Sequence, residues 1–313
     1  MDLIARLFRR SGNGRSAPRG ADRAIQIDPD YSDRPGYDPE FLGSGEHAVP
    51  LPSLPAELVP LAAINRLASN EPRYVLPYYH FSVVLNKERR LAFFTAVNID
   101  GALGERPKRE RDHWFFDPRV PEAEQTGDEV YAKNPLDLGH LVRRLDPAWG
   151  ESPEVVKLAN DDTFHFTNCT PQHQDFNRNK TSWAGLEDYI LKNADNLQFK
   201  VNVFTGPVLA ADDDAYKGVQ LPRQFWKVVT MVKESGELSA TAYLLSQKEL
   251  IEGLRVTREP FSYAAYRTYQ VPVSKVEELT RLSFRPLVAA DPLAQRGVAV
   301  AAREVDRPED AIL

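Results

Sequence analysis

Residues 80–85 (HFSVVL) and 91–99 (LAFFTAVNI) are two runs of β-branched and aromatic side chains. The polar stretch NKERR separates them. Such side chains suit a pleated, half-buried surface, and a short polar break between two such runs makes a hairpin. Further strands are expected at 164–167, 199–204, 226–232 and 238–245. Residues 183–192 predict a helix, because Trp183, Leu186, Ile190 and Leu191 recur at helical spacing while Glu187 and Asp188 lie off that stripe. A second helix is expected over 274–282, with Val276, Leu279 and Leu282 on one face and Ser274 as its cap after Pro272. Strands outnumber helices and the order is mixed, which predicts an α+β domain with a mainly antiparallel sheet core.

The chain has 313 residues, enough for one large domain or two small ones. Residues 1–54 lack periodicity and are rich in Gly, Pro, Ser and Arg, so they read as an irregular basic arm. Within it Leu3, Ile4, Leu7 and Phe8, flanked by Arg6, Arg9 and Arg10, would make an apolar stripe for a protein partner, a regulator or a membrane surface; a frayed tail is the plainer reading. The ordered domain is expected over 55–285, with 286–313 as an Ala- and Pro-rich extension trailing over the surface. No run of 18 apolar residues reads as a membrane span. The N-terminus lacks the features of a secretory signal, and the single cysteine, Cys169, excludes an internal disulfide. A cytoplasmic location is therefore expected, with delivery by another system left open. The net charge of −6 argues against a protein held on nucleic acid by bulk positive charge. A local basic channel suffices for phosphate, and 106–111 (RPKRER) and Arg143-Arg144 are basic runs that would serve, although each taken alone is most simply a solvated loop.

Chemistry concentrates in two segments. One is DLGHLVRR at 137–144; the other runs from TNCTPQ at 167–172 through DFN at 175–177 to WAGLE at 183–187. A glycine before a histidine permits a sharp bend or a close approach, and a histidine there can act as a general base. Asn177 and Glu187 offer oxygen ligands to a hard cation, and Mg²⁺ takes only one or two protein groups while keeping several waters. Arg143 and Arg144 offer phosphate contacts. Read singly, each residue has a plain structural alternative: a packed histidine, an Asn helix cap, a surface Glu.

Taken together, the order and spacing of these segments resemble the DNA/RNA non-specific endonuclease family, that of the Serratia nuclease and mitochondrial endonuclease G. The likeness spans roughly residues 55 to 285 and includes HWFFDPRVP, QFWKVV and YQVPV. It implies a ββα-metal (His-Me finger) active site, hydrolysis of DNA or RNA with little sequence preference, and products carrying 5′ phosphates. By the resemblance His140 matches the general base and Asn177 the Mg²⁺ ligand, with Mn²⁺ as a substitute ion. Glu187 matches the acidic residue that reaches the metal through water, and Asn168 a polar position near the site. Asn179 is a weaker rival to Asn177. Asp137, Gly139, Arg143, Arg144 and Arg178 are the expected substrate contacts. An upstream family arginine aligns loosely with Arg111, or with Arg109.

One departure stands out. Leu138 occupies the position where the family has a phosphate-binding arginine, and Arg143, Arg144 or Arg178 are the candidates to replace it. Two other readings follow: a weakened nucleic-acid-binding protein on the same fold, and a zinc hydrolase built on His140, His165 and His173. DNA or RNA is the expected partner, and a homodimer is an open alternative to a monomer.

Overall fold

The computed structural model describes residues 24–178, 199–248, 251, 268–295 and 303–304. Its frame is one antiparallel eight-stranded sheet. The strands are β1 (Val75–Tyr78), β2 (Phe81–Asn86), β3 (Leu91–Asp100), β6 (Lys200–Pro207), β9 (Gln224–Val232), β10 (Leu238–Ser246), β11 (Thr268–Val271) and β12 (Arg303–Glu304), adjacent in that order. Between β3 and β6 the chain leaves the sheet, and this excursion carries β4 (Leu136–His140), α1 (Pro153–Asp162), β5 (Cys169–His173) and α2 (Gln174–Arg178). A small hairpin of β7 (Asp214–Tyr216) and β8 (Val219–Leu221) lies between β6 and β9.

The predicted hairpin is β2–β3, and every residue of both strands is buried. A strand covered on both faces needs apolar side chains at odd and even positions alike, which is what these runs supply. On one face Val83, Leu85, Val97, Val203, Phe225 and Val229 pack under Leu141, Val142 and Phe176 of the excursion. On the other, Val84, Phe94, Phe204, Trp226 and Val228 pack against α3 (Val273–Thr280) and against Phe284 and Leu287. The excursion is thus seated on the sheet by its own apolar residues, leaving its polar ones for other work.

Three expectations change. The segment 164–167 is not a strand; residues 166–168 form a 3-10 turn, and His165 makes only an isolated bridge with Phe115. Short apolar runs do not distinguish strand from other buried backbone. Helix α3 starts at Val273, before Ser274, and its first amide is satisfied from elsewhere, Val273 N donating to Asp291 Oδ2 at 2.8 Å. The segment holding Asp291 does not trail: Leu287 and Leu293 are buried, and Ala240 N donates to Ala290 O.

The arm is irregular in backbone, yet from residue 24 onward it belongs to the body. Ile25, Tyr31, Tyr37 and Val49 are buried. Arg34 forms a bidentate pair with Asp162 at the end of α1, its Nε and Nη2 donating at 2.8 and 2.9 Å. Tyr31 hydroxyl bonds His165 Nε2 at 2.7 Å, and the other ring nitrogen meets Asp162 O. Both nitrogens of His165 are thereby used in structure. The apolar stripe expected at residues 3–8 and the helix expected at 183–192 lie outside the described residues.

Candidate active site

β4 and β5 form a two-stranded antiparallel ribbon in which His140 faces Cys169 and Asp137 faces Gln172. α2 follows β5 directly. Phe176 of α2 is fully buried and lies 5.4 Å from Phe225 of the main sheet, which anchors this short helix. Along a strand alternate residues share a face, so Leu136 and Leu138 lie on one side of β4 and Asp137 and Gly139 on the other, and His140 ends the strand.

On the Asp137 side, Asn177 Nδ2 donates to Asp137 Oδ2 at 3.0 Å. A carboxylate accepts only, so it selects the amide's NH₂ end and leaves Asn177 Oδ1 as the outward oxygen. Gly139 lies against the Gln172 amide: a Cβ at 139 would come within 2.3 Å of Gln172 Cδ and Oε1. This close approach is why the position requires glycine. The two Gln172 amide atoms and Thr170 Oγ1 are buried without a partner among the described residues. Unsatisfied buried polar atoms in a native protein mark an ion, ordered water or a catalytic role. An amide oxygen, a neighbouring carboxylate and unsatisfied polar groups fit a hydrated divalent cation, which binds few protein oxygens. Among the described residues, no three His, Cys, Asp or Glu side chains gather as a metal cage. With His165 engaged by Tyr31 and Asp162, the three-histidine zinc reading has no support in the described residues.

His140, the last residue of β4, packs between Trp114, with ring centroids 4.5 Å apart, and Phe164, edge-on at 5.0 Å. Its Nε2 is closed off from solvent and has no hydrogen-bond partner among the described residues. Burial pushes its pKa down to about 3; Asp112 opposes this, and the cations of Arg109, Arg143 and Arg144 add to it. The ring is therefore neutral near pH 7, with a lone pair for a proton.

Asn168 has a different task from the others. Its Nδ2 donates to Val142 O and Thr163 O, both at 2.9 Å, and its Oδ1 accepts from Val142 N. One amide proton and the amide oxygen brace Val142, just after His140, and the second proton ties Asn168 to Thr163 past the end of α1. Arg111 is exposed, and its carbonyl accepts from Ile25 N. It is Arg109 that stands among the charges acting on His140. Arg144 is half-buried in the same cluster, and Arg143 N is held by Asp146 Oδ2 at 3.2 Å. Leu138 packs into an apolar cluster with Leu136, Phe166 and Tyr131. The side chain of Arg178 and all of Asn179, Trp183 and Glu187 lie outside the described residues. Sequence reasoning missed Trp114 as a neighbour of the base, because HWFF reads as core.

An antiparallel ribbon joined to a short helix, with a neutral histidine on one and an oriented amide on the other, defines the ββα-metal class of sites. Comparison with known proteins agrees. Residues 62–291 match the family model described as DNA/RNA non-specific endonuclease. The sequence is 41% identical over 272 residues to an uncharacterized protein of Sinorhizobium fredii, covering 81% of this chain but 39% of that protein. The chain therefore spans well under half the length of that relative. A nuclease of Nostoc sp. is 23% identical over 214 residues, covering 67% of this chain and 73% of that protein. In fold, a chain in the crystal structure of the EndoG/EndoGI complex matches with a TM-score of 0.53, at 16% identity, over 75% of this chain and 94% of that one. The chain belongs to the DNA/RNA non-specific endonuclease family, a family of nucleases for which dependence on a divalent metal is typical.

Proposed function

We propose that this protein is a divalent-metal-dependent endonuclease that hydrolyses phosphodiester bonds of DNA, RNA or both with little sequence preference and leaves 5′ phosphates. The observation that carries the reading is the pairing, within one ββα unit, of a neutral His140 with an Asn177 whose amide is oriented by Asp137. His140 is the general base, taking a proton from the attacking water at a ring nitrogen. Asn177 Oδ1 would hold Mg²⁺, with Mn²⁺ as a substitute and Glu187 reaching it through water. The ion would supply positive charge to the phosphate and to the leaving 3′ oxygen. Asp137 keeps Asn177 turned the right way, a supporting contact of the kind that tunes metal sites. Asn168 fixes residues 141–142, and so the base that precedes them. A phosphate entering beside His140 would offset the nearby cations and raise the pKa of the ring toward the range where a base works best. A site that grips backbone and touches few base edges reads little sequence.

The test is cleavage of supercoiled plasmid, single-stranded DNA and RNA by the parent and by His140→Ala, each with Mg²⁺, Mn²⁺ or EDTA. Metal-dependent nicking by the parent, lost in the variant, is expected. Equal cleavage by both chains would overturn the assignment of the base. Binding without cleavage by either would turn the reading to a nucleic-acid-binding protein.

A further inference from the structure

We propose that Arg144, braced beside His140 and acting with Arg109, is the clamp that holds the non-bridging oxygens of the scissile phosphate. This assignment rests on the nuclease reading and identifies the group that supplies the charge absent at Leu138. Leu138, two residues before His140, is a partly buried apolar side chain packed against the cluster of Leu136 and Phe166, so that strand position brings no cation to the base. The loop 104–112 does bring one. It is tied down by Glu105 N donating to Ala148 O and by a bridge between Gly104 and Trp149. Arg144 Nη1 reaches this loop at Pro107 O, and the charges of Arg109, Arg143 and Arg144 all bear on His140.

Within this cluster Arg144 is set apart by its partners. Its Nη1 donates to two neutral acceptors, Asn160 Oδ1 at 3.2 Å and Pro107 O at 3.4 Å. Its Nε and Nη2 donate to no acceptor among the described residues, and no carboxylate pairs with it there. Arg34 and Arg119, by contrast, are buried on Asp162 and Asp117, and Arg109 pairs at the surface with Asp112 at 2.7 Å. A half-buried guanidinium fixed at one end by neutral groups, with its remaining N–H groups unspent, matches an incoming phosphate: the fork is already oriented and its charge is not neutralised. The bracing reaches α1 twice. Asn160 holds Arg144, and Thr163 O, just past the helix, holds Asn168, which grips Val142. Burial and the charges of Arg109 and Arg143 lower the pKa of Arg144, with Asp112 only partly opposing them, so an anion at this point relieves a repulsion already present.

The experiment separates binding from chemistry. Binding of a short fluorescein-labelled single-stranded DNA is measured by anisotropy in EDTA, in a His140→Ala background. Cleavage is measured as kcat and KM in the otherwise native chain with Mg²⁺. Arg144→Gln should weaken binding and lower kcat/KM by about tenfold to a hundredfold, the range of one charge-assisted contact. Arg144→Lys should recover only part of the loss, Leu138→Arg combined with Arg144→Gln should recover more, and Lys275→Gln on the distant α3 should change neither quantity. Should Arg144→Gln prove unstable, Arg109→Gln, on an exposed side chain, decides the matter with a loss of several-fold or more. Unchanged binding and kcat/KM in both Gln variants would overturn the clamp while leaving the nuclease reading intact. A binding loss in Arg144→Gln from a parent that never cleaves would keep the phosphate site and overturn the nuclease reading.

Discussion

The β2–β3 hairpin and the β4–β5–α2 unit are both antiparallel pairs, and they spend their side chains differently. In β2–β3 every residue is buried, and β3 continues into β6 through an uninterrupted register from Thr95–Thr205 to Asp100–Lys200. In β4–β5 the strands hold Gly139, Pro171, Asp137, Gln172 and His140, and among the described residues the ribbon has no third strand. Among the described residues the two strands of the hairpin leave no buried side-chain donor or acceptor unpaired, Arg89 Nε in their turn being the exception nearby, whereas the ribbon leaves Gln172, Thr170 and His140 Nε2 without protein partners. The frame follows the rules of a stable sheet. The ribbon breaks several of them where chemistry is expected, as functional sites do.

If that division is right, activity and stability should come apart under mutation. His140→Ala should lower kcat by about 10²–10⁴, the usual range for a general base, while Tm stays near that of the parent. A large fall in Tm would mean that the ring packed between Trp114 and Phe164 is structural first. Phe94→Ala should do the opposite, costing about 3–5 kcal/mol in denaturant unfolding because a fully buried aromatic is lost from the sheet. The molecules that remain folded should keep the parent's kcat; a matching loss of kcat would couple the two regions more tightly than the packing suggests. Smaller again, Asp137→Ala should raise the Mg²⁺ concentration for half-maximal activity by about 10- to 100-fold, since it frees the Asn177 amide to turn. An unchanged metal requirement would show that Asn177 needs no orienting partner.

The same contrast explains what could be read in the sequence. The runs at 80–85, 91–99, 199–204, 226–232 and 238–245 each mark a strand of the main sheet, because a doubly covered strand must be apolar and β-branched throughout. β4 and β5 gave no such signal, since glycine, proline and acidic residues disfavour strands. Their residue types mark His140 and Asn177 as candidates in the sequence, while the ribbon that holds them leaves no comparable mark. The bracing role of Asn168 was hidden because it joins backbone groups at Val142 and Thr163 that only the fold brings together. The arm shows the limit of composition. Its Gly, Pro and Ser predict irregular backbone correctly, but burial of Tyr31 and Arg34 depends on Asp162 and His165, far along the chain.

The smallest effect tests how tightly the site is closed. Burial lowers the pKa of His140, to about 3, and also those of His80, His165 and His173. In the unfolded chain these rings titrate near the ordinary value of about 6.5. Below that pH the unfolded state takes up protons that the folded state refuses, so stability declines as pH falls from about 7 toward 5, before the carboxylates titrate. At lower pH still, Asp117, whose pKa is held down by Arg119 against the cost of its burial, adds a second loss as it becomes protonated. His140→Gln removes one of the four rings and should therefore show a shallower fall of Tm over the upper window. Equal slopes would mean that the ring of His140 opens to solvent more readily than its packing against Trp114 and Phe164 implies. The same depressed pKa predicts that kcat/KM, which reports the free enzyme, keeps no acid limb near 6.5. The acid end of activity would then be set by unfolding of the frame, with the base still neutral when the sheet gives way.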